Sequence, residues 1–371
     1  MMGFHGLQNQ VKWRLKMSKA AELASLASAS ETALSNRNLI INGAMQIAQR
    51  GTSSTTANAY LVDRFKTFTA NTDQLAFTQA QVADGPDGFN YSYKFTTTTA
   101  ESALASNESV KMRQTLEGQN LQQLKYGLSS AEKITLSFYV KGSVTGAYSI
   151  TANESVDPFN LVGSTYTISS ANTWEKKTIT FPANTLETIA NNNTGGIYFD
   201  WHISAGSANT GTDNSSWSVF AQAKTANGQV AQPILTVNST WQLTGVQIEV
   251  GSVATPFEHL SFGQDLALCQ RYYEKIIKAT GVSYSTSSIN FDIIFKNTKR
   301  ADPSNSLIDD SVVTDSAGVG AKTSSGSSIV GSDVEVDGAS ARIDGFSSLT
   351  AQRAYPTFGQ NTAWIAYDAE L

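Results

Sequence analysis

The chain has 371 residues, 40% of them apolar and 15% charged, with a formal net charge of −5. Two folded units with short accessories are expected at this length, and the acidic balance argues against a nucleic-acid-binding protein, which would need a basic face for phosphates. The single cysteine, Cys269, excludes an internal disulfide framework or a cysteine-rich zinc site, while 27 glycines and a polarity drawn from Ser, Thr, Asn and Gln suit an all-β chain with many turns.

Residues 1–16 form a short basic segment in which Phe4, Leu7, Val11 and Leu15 would share one helix face; a docking peptide, an upstream extension before Met17 and membrane binding all fit it. No run is long enough to span a bilayer and no signal-peptide core is present, so maturation in a cytoplasm without membrane insertion is expected. Ser18–Asn36 is alanine-rich, with Ser18 as N-cap, Glu22 in the first turns, and Leu23, Ala27, Ser30 and Leu34 at alternating spacings of four and three. A lone helix of this length is marginal in water and needs a partner. Residues 1–36 therefore read as a helical attachment segment.

Residues 37–258 read as the main β-domain. Leu39–Ile41 is a buried run ended by Asn42-Gly43, a hairpin signal, and Met45 and Ile47 alternate with polar neighbours. Ile134–Val140, Tyr166–Ile168, Thr178–Phe181 and Ile197–Ile203 predict strands, the last with Ile197, Phe199, Trp201 and Ile203 on one face. Many strands without β–α alternation predict a mainly β fold, a jelly-roll sandwich.

The strand Trp241–Val250 closes this domain. Its apolar phase slips at Gly245, from Trp241 and Leu243 to Val246, Ile248 and Val250, which predicts a β-bulge. Gly251 and Pro256 end it. Ser261 and Gln264 form a capping box for a connecting helix over 259–279, whose stripe Phe262, Leu266, Cys269, Tyr273 and Ile276 also needs a partner. Three copies around an axis would supply partners for both helices, and a socket on a larger assembly would serve the first. A smaller C-terminal β-domain, 280–371, follows, with strands predicted at Ser288–Phe295, Ser311–Val313, Ser328–Val330 and Trp364–Tyr367.

Several strings carry a family resemblance. Asn38–Gly51 (NLIINGAMQIAQRG), with Tyr60, Asp63, Arg64 and Phe65 after it, and TGVQIEVGSVATPFE…ALCQRYYEK resemble the opening and end of a β-module in tail-fibre and receptor-binding proteins of tailed bacteriophages. Phe295–Pro303 (FKNTKRADP) and Asp368–Leu371 (DAEL) resemble the terminal domain of such fibres, and Leu136–Gly142 and Trp174–Pro182 are similar to jelly-roll carbohydrate-binding modules. The resemblance implies a virion subunit, a homotrimer, anchored to other tail proteins through the N-terminal helix and binding host cell-surface glycan. A head fibre or capsid decoration protein is the alternative position, and a glycan depolymerase the alternative activity. It also implies that Trp174 and Trp241 pack on the sandwich core.

No catalytic motif is present. His5, His202 and His259 are too scattered for a metal cluster, no calcium-type loop is legible, and no cofactor is expected. A glycosidase needs two carboxyl groups about 5–10 Å apart; Asp63, Asp200, Asp213 and Glu249 are candidates as in any such chain. For binding, Trp201 and Trp217 flank the loop Ser204–Ser216, where Asp213 and Asn214 would supply a polar rim; either the indoles floor a sugar site or they fill the core. Tyr284, Phe291, Tyr355, Phe358 and Trp364 offer the same choice in the C-terminal unit.

Overall fold

The computed structural model describes residues 36–308, 312–314, 321–357 and 365–371. The segment 1–16 and the attachment helix with Leu23, Ala27 and Leu34 lie outside them. In chain order the first twelve strands are β1 (Ser53–Ser54), β2 (Lys66–Ala70), β3 (Ala76–Val82), β4 (Ser92–Thr99), β5 (Ser109–Glu117), β6 (Ile134–Gly142), β7 (Gly146–Glu154), β8 (Asn160–Ile168), β9 (Glu175–Phe181), β10 (Gly195–Ala205), β11 (Ser218–Val219) and β12 (Thr240–Val250). They form two antiparallel six-stranded sheets, β1-β3-β4-β12-β6-β9 and β11-β8-β7-β10-β5-β2, packed as a jelly-roll β-sandwich.

The strands alternate because one face of each sheet is buried. Ile134, Leu136, Phe138 and Val140 of β6 and Ile197, Phe199, Trp201 and Ile203 of β10 all point into the core. There the Phe138 ring meets Trp201 at 6.1 Å and Tyr166 at 5.1 Å, both edge-on. The Trp241 indole N–H crosses the sandwich to donate to the Tyr166 hydroxyl at 3.2 Å. Truncating a ring at this depth costs about 3–5 kcal/mol.

The slip at Gly245 is a bulge. The β12–β6 register shifts between Thr244 and Gln247, and Gly245 takes φ +60°. No hairpin forms at Asn42-Gly43. Residues 38–48 run irregularly because side chains and β12 take their backbone partners: Asn42 donates its amide to the Ile47 and Asp63 carbonyls, and the Gly43 carbonyl accepts the Val246 amide at 2.9 Å.

Helix α1 (Phe262–Gln270) starts at the predicted capping box but ends nine residues before the sequence reading placed its end. Tyr272, Tyr273 and Glu274 are all buried, and one helix face cannot bury three consecutive side chains. Tyr273–Ile276 is instead β13, which opens the second unit: β14 (Thr280–Ser283), β15 (Ile289–Ile294), β16 (Ser304–Leu307), β17 (Val312–Thr314), β18 (Ala321–Thr323), β19 (Ile329–Val334), β20 (Gly338–Ile343), β21 (Ala354–Pro356) and β22 (Ile365–Asp368). The sheets are β13-β22-β16, β19-β20-β15-β14-β21 and β17-β18, over a second core containing Phe291, Ile343, Tyr355 and Tyr367.

Four of the strings quoted above, those with Arg50 and Arg64, Arg271–Glu274, Lys299–Arg300 and Asp368–Glu370, meet where the two β-units join. Arg64, 1% exposed, lies 3.4 Å over the Tyr272 ring, donates to the Thr115 carbonyl at 2.6 Å and pairs with Glu370. Arg50 stacks on Tyr273 at 3.6 Å and bonds Asp368 at 2.9 Å. Glu117 takes both prongs of Arg271 at 2.9 Å and the Tyr272 hydroxyl. Arg300 donates to the Ala369 and Asn193 carbonyls, each at 2.9 Å. Lys299 and Glu274 pair at 2.6 Å with both side chains fully buried. Removing one member of such a pair costs about 3–5 kcal/mol, since the other charge stays in the protein unpaired.

Candidate functional site

The sandwich withdraws the sites expected from sequence. Trp201 is fully buried against Phe138, so it offers no face to a sugar. Trp217 is 9% exposed, its indole N–H held by the Pro182 carbonyl at 2.8 Å. Asn214 is buried and donates to the Lys224 carbonyl at 2.6 Å, while exposed Asp213 only caps its own turn through Ser215. The loop lies against the outer face of the second sheet instead of standing free, with the Asn214 carbonyl accepting the Gly163 amide at 2.7 Å. Trp174, expected in the core, is half-buried before β9, with Lys141 over its ring at 4.9 Å.

The proposed oligomer stripe on the connecting helix is also divided. Phe262 is exposed and Leu266 half-buried, Cys269 is fully buried, and Tyr273 belongs to β13 under Arg50. The face of α1 that packs inward carries Asp265, Cys269 and Gln270, with Asp265 accepting the Asn42 amide at 3.0 Å. In the C-terminal unit Phe291 and Tyr355 are core, Tyr284 is exposed, and Phe358 and Trp364 lie outside the described residues.

An aromatic cleft opens on the outer face of the first sheet. Its volume is about 500 Å³, and Phe89, Tyr139, Phe257 and His259 line it together with Asp87, Ser137, Lys176, Thr255 and Pro256. The bulge makes its floor. A Cβ at Gly245 would come within 2.8 Å of Phe89 and 2.9 Å of Tyr139, so only glycine lets both rings lie down on β12. Phe89 is held there by a turn, its amide bonded to the Pro86 carbonyl at 2.9 Å, and Gly88 at φ +90° completes that turn.

The opposite wall is the chain just past β12. Gly251, at φ +103°, turns the backbone, and Glu249 then accepts the Thr255 amide at 2.9 Å. Gln247 accepts the Glu258 amide at 2.7 Å, which lays Pro256–His259 back over the strand they have left. Phe89 meets Phe257 at 4.9 Å, His259 at 5.2 Å and Tyr139 at 5.4 Å, and Phe257 meets His259 at 4.8 Å. Half-exposed rings gathered beside an acid, a lysine and two hydroxyls can take the apolar face of a sugar ring and hydrogen-bond its rim.

The four candidate acids stand in four separate places. Asp63 is buried near Arg50 and holds the Gln49 amide at 3.0 Å; burial pushes its carboxyl up to about 6. Asp200 is buried, yet Lys111 and Arg113 beside it drive its carboxyl well below the usual range. Glu249 serves the Thr255 turn, and Asp213 is in the loop. His202 lies next to Asp200 on β10, and burial lowers its imidazole to about 3. Among the described residues no group of three His, Cys, Asp or Glu side chains is placed to hold a metal ion, and no helix is long and apolar enough to cross a membrane.

The sequence held a weak signal for the cleft. Three of its four aromatics stand in turns instead of strands: Phe89 follows DGPDG, and Phe257 and His259 follow Pro256, while Tyr139 is on β6. Aromatics in turns have no strand neighbour to bury them.

No family model matches the chain, and no curated protein matches it by sequence. Solved structures resemble the sandwich. The enzymatically active domain of tailspike protein 4 of bacteriophage CBA120 matches with TM-score 0.31 and 11% identity over 58% of this chain, which spans only 21% of that one. A structure described as "CBM4 structure and function" matches with TM-score 0.29 and 10% identity over 56% of this chain and 97% of its own. A family 11 carbohydrate-binding module of a cellulosomal cellulase of Clostridium thermocellum matches with TM-score 0.29 and 8% identity, over 55% and 96%. Likenesses this distant carry no conclusion about activity.

Proposed function

We propose that the chain is a surface-fibre subunit of a tailed-phage virion that adheres to host cell-surface glycan through the cleft of Phe89, Tyr139, Phe257 and His259. The observation that carries glycan binding is the cleft itself: four rings brought together from three chain segments around a glycine bulge, open to solvent and rimmed by polar groups. The fibre assignment is supported by the resemblance of strings spread over the chain, several of which converge on one junction. Binding at one such cleft is weak. A homotrimer attached through its N-terminal segment multiplies it by holding several clefts at high local concentration.

The reading is tested with purified protein and host cells. Wild-type protein is expected to adsorb to cells and to be displaced by soluble host oligosaccharide, and Phe257→Ala and His259→Ala to weaken adsorption while melting normally. Undiminished adsorption by both variants would remove the cleft from the mechanism. Light scattering reads the trimer, antibody labelling of intact particles separates tail from head, and release of new reducing ends from host polysaccharide would favour a depolymerase over an adhesin.

A further inference from the structure

The outer face of the second sheet carries a second constellation, separate from the cleft. Lys66 of β2, Arg113 of β5 and Asp200 of β10 stand directly opposite one another, and Phe68 opposes Lys111 in the next row. Asp200 is held by Arg113 through Nε at 2.6 Å and Nη2 at 2.8 Å, and by Lys111 at 2.8 Å. Lys66 makes no ion pair among the described residues and lies over the Phe68 ring at 4.7 Å. Three cations against one carboxylate leave two positive charges in excess, on a chain whose net charge is −5.

Two flat rings accompany these charges. Arg113 stacks on Tyr198 at 3.6 Å and approaches Phe68 at 4.7 Å, and both rings are half-exposed. The neighbouring strands are not open. The long loop before β12 covers β7 and β8, its Gln229 accepting the Ser149 amide at 2.6 Å and its Asn214 the Gly163 amide at 2.7 Å. A ledge of β2, β5 and β10 therefore remains beside a wall. We propose that this ledge is a second binding site, for a carboxylate-bearing saccharide, with Lys66 and Arg113 meeting the carboxylate and Tyr198 and Phe68 the sugar ring. The excess of two charges is too small for a nucleic acid, whose binding rests on many phosphate contacts, and half-exposed rings beside the charges are what distinguish a sugar site from a simple anion site.

The test is calorimetry on the full chain with trigalacturonic acid and with its methyl ester, in which a methyl group on each carboxyl removes the charge. At low salt the acid is expected to bind and the ester not, with the acid's affinity falling as salt approaches about 0.3 M, where exposed charges are largely screened. Lys66→Gln should weaken the acid at least about fivefold, on the scale of one partly exposed charge contact, and Lys66→Arg should restore it. Phe257→Ala should leave it unchanged, which separates this site from the cleft. Equal binding of ester and acid, no binding of the acid at about 10 mM and low salt, an unaffected Lys66→Gln protein, or loss of acid binding in Phe257→Ala would each overturn the proposal.

Discussion

The junction between the two β-units and the aromatic cleft are built from opposite materials. The junction is charged and closed: Arg64, Glu117, Glu274 and Lys299 are almost wholly buried, each matched by an opposite charge or a ring face. The cleft is aromatic and open, with Phe89, Tyr139 and Phe257 half-exposed and their polar neighbours at the rim. A buried charge tolerates almost no change of partner, because an orphaned ion cannot return to water. An open aromatic tolerates change at modest cost to folding. The family-like strings serve both regions: Arg50, Arg64, Arg271 and Lys299 hold the junction, while Tyr139 and Phe257 line the cleft.

The largest effect should come from the junction. Lys299→Ala leaves Glu274 buried without its cation and should destabilise the C-terminal unit by about 3–5 kcal/mol, read by denaturant unfolding. A loss below 1 kcal/mol, roughly the worth of a surface pair, would break the contrast. Gly245→Ala touches both sides of it. A non-glycine residue at φ +60° costs about 1–2 kcal/mol, and its Cβ displaces the Phe89 and Tyr139 rings, so stability and glycan affinity should fall together. Phe257→Ala should affect the cleft alone, weakening oligosaccharide binding about tenfold, on the scale of one lost ring contact, with an unchanged melting curve.

A pair of pH slopes completes the set, each bounded by about 1.4 kcal/mol per pH unit for one group. Asp63 has its carboxyl raised to about 6 in the fold, from an ordinary 3.8. It therefore favours the folded state at low pH and loses that contribution as pH rises from about 4 through 6. His202 is depressed from 6.5 to about 3, so its burial weakens the fold as pH falls from 6.5 toward 3. Urea unfolding across this range should show Asp63→Asn removing the first slope and His202→Phe the second. Parallel wild-type and variant profiles would show that neither environment is as described.

Much of the sandwich was legible before any coordinates. The alternation in Ile134–Val140 and Ile197–Ile203, the slip at Gly245 and the capping box at Ser261 all report local geometry, and the strands, the bulge and the helix start are where those patterns place them. The site was not legible on the same terms. Trp201 and Trp217 stand beside a polar loop in the chain, but alternation set Trp201 inward and the loop folded down over the outer face. Phe262, Leu266, Cys269 and Tyr273 have helical spacing, yet β22 lies within reach of Tyr273 and pairs with it as a strand.

The sequence by itself determined the mainly β character, the closing bulge and the family-like strings, because periodicity, glycine and capping act over a few residues. Only the tertiary structure decided that four of those strings meet at one junction. It also decided that Phe89, Tyr139, Phe257 and His259 share a cleft, and that three cations share a ledge with two rings. Phe89 and Phe257 are far apart in the chain, and nothing local relates them. Their proximity follows from strand order, through β12 and the turns that flank it, and strand order is settled by the packing of the whole sandwich.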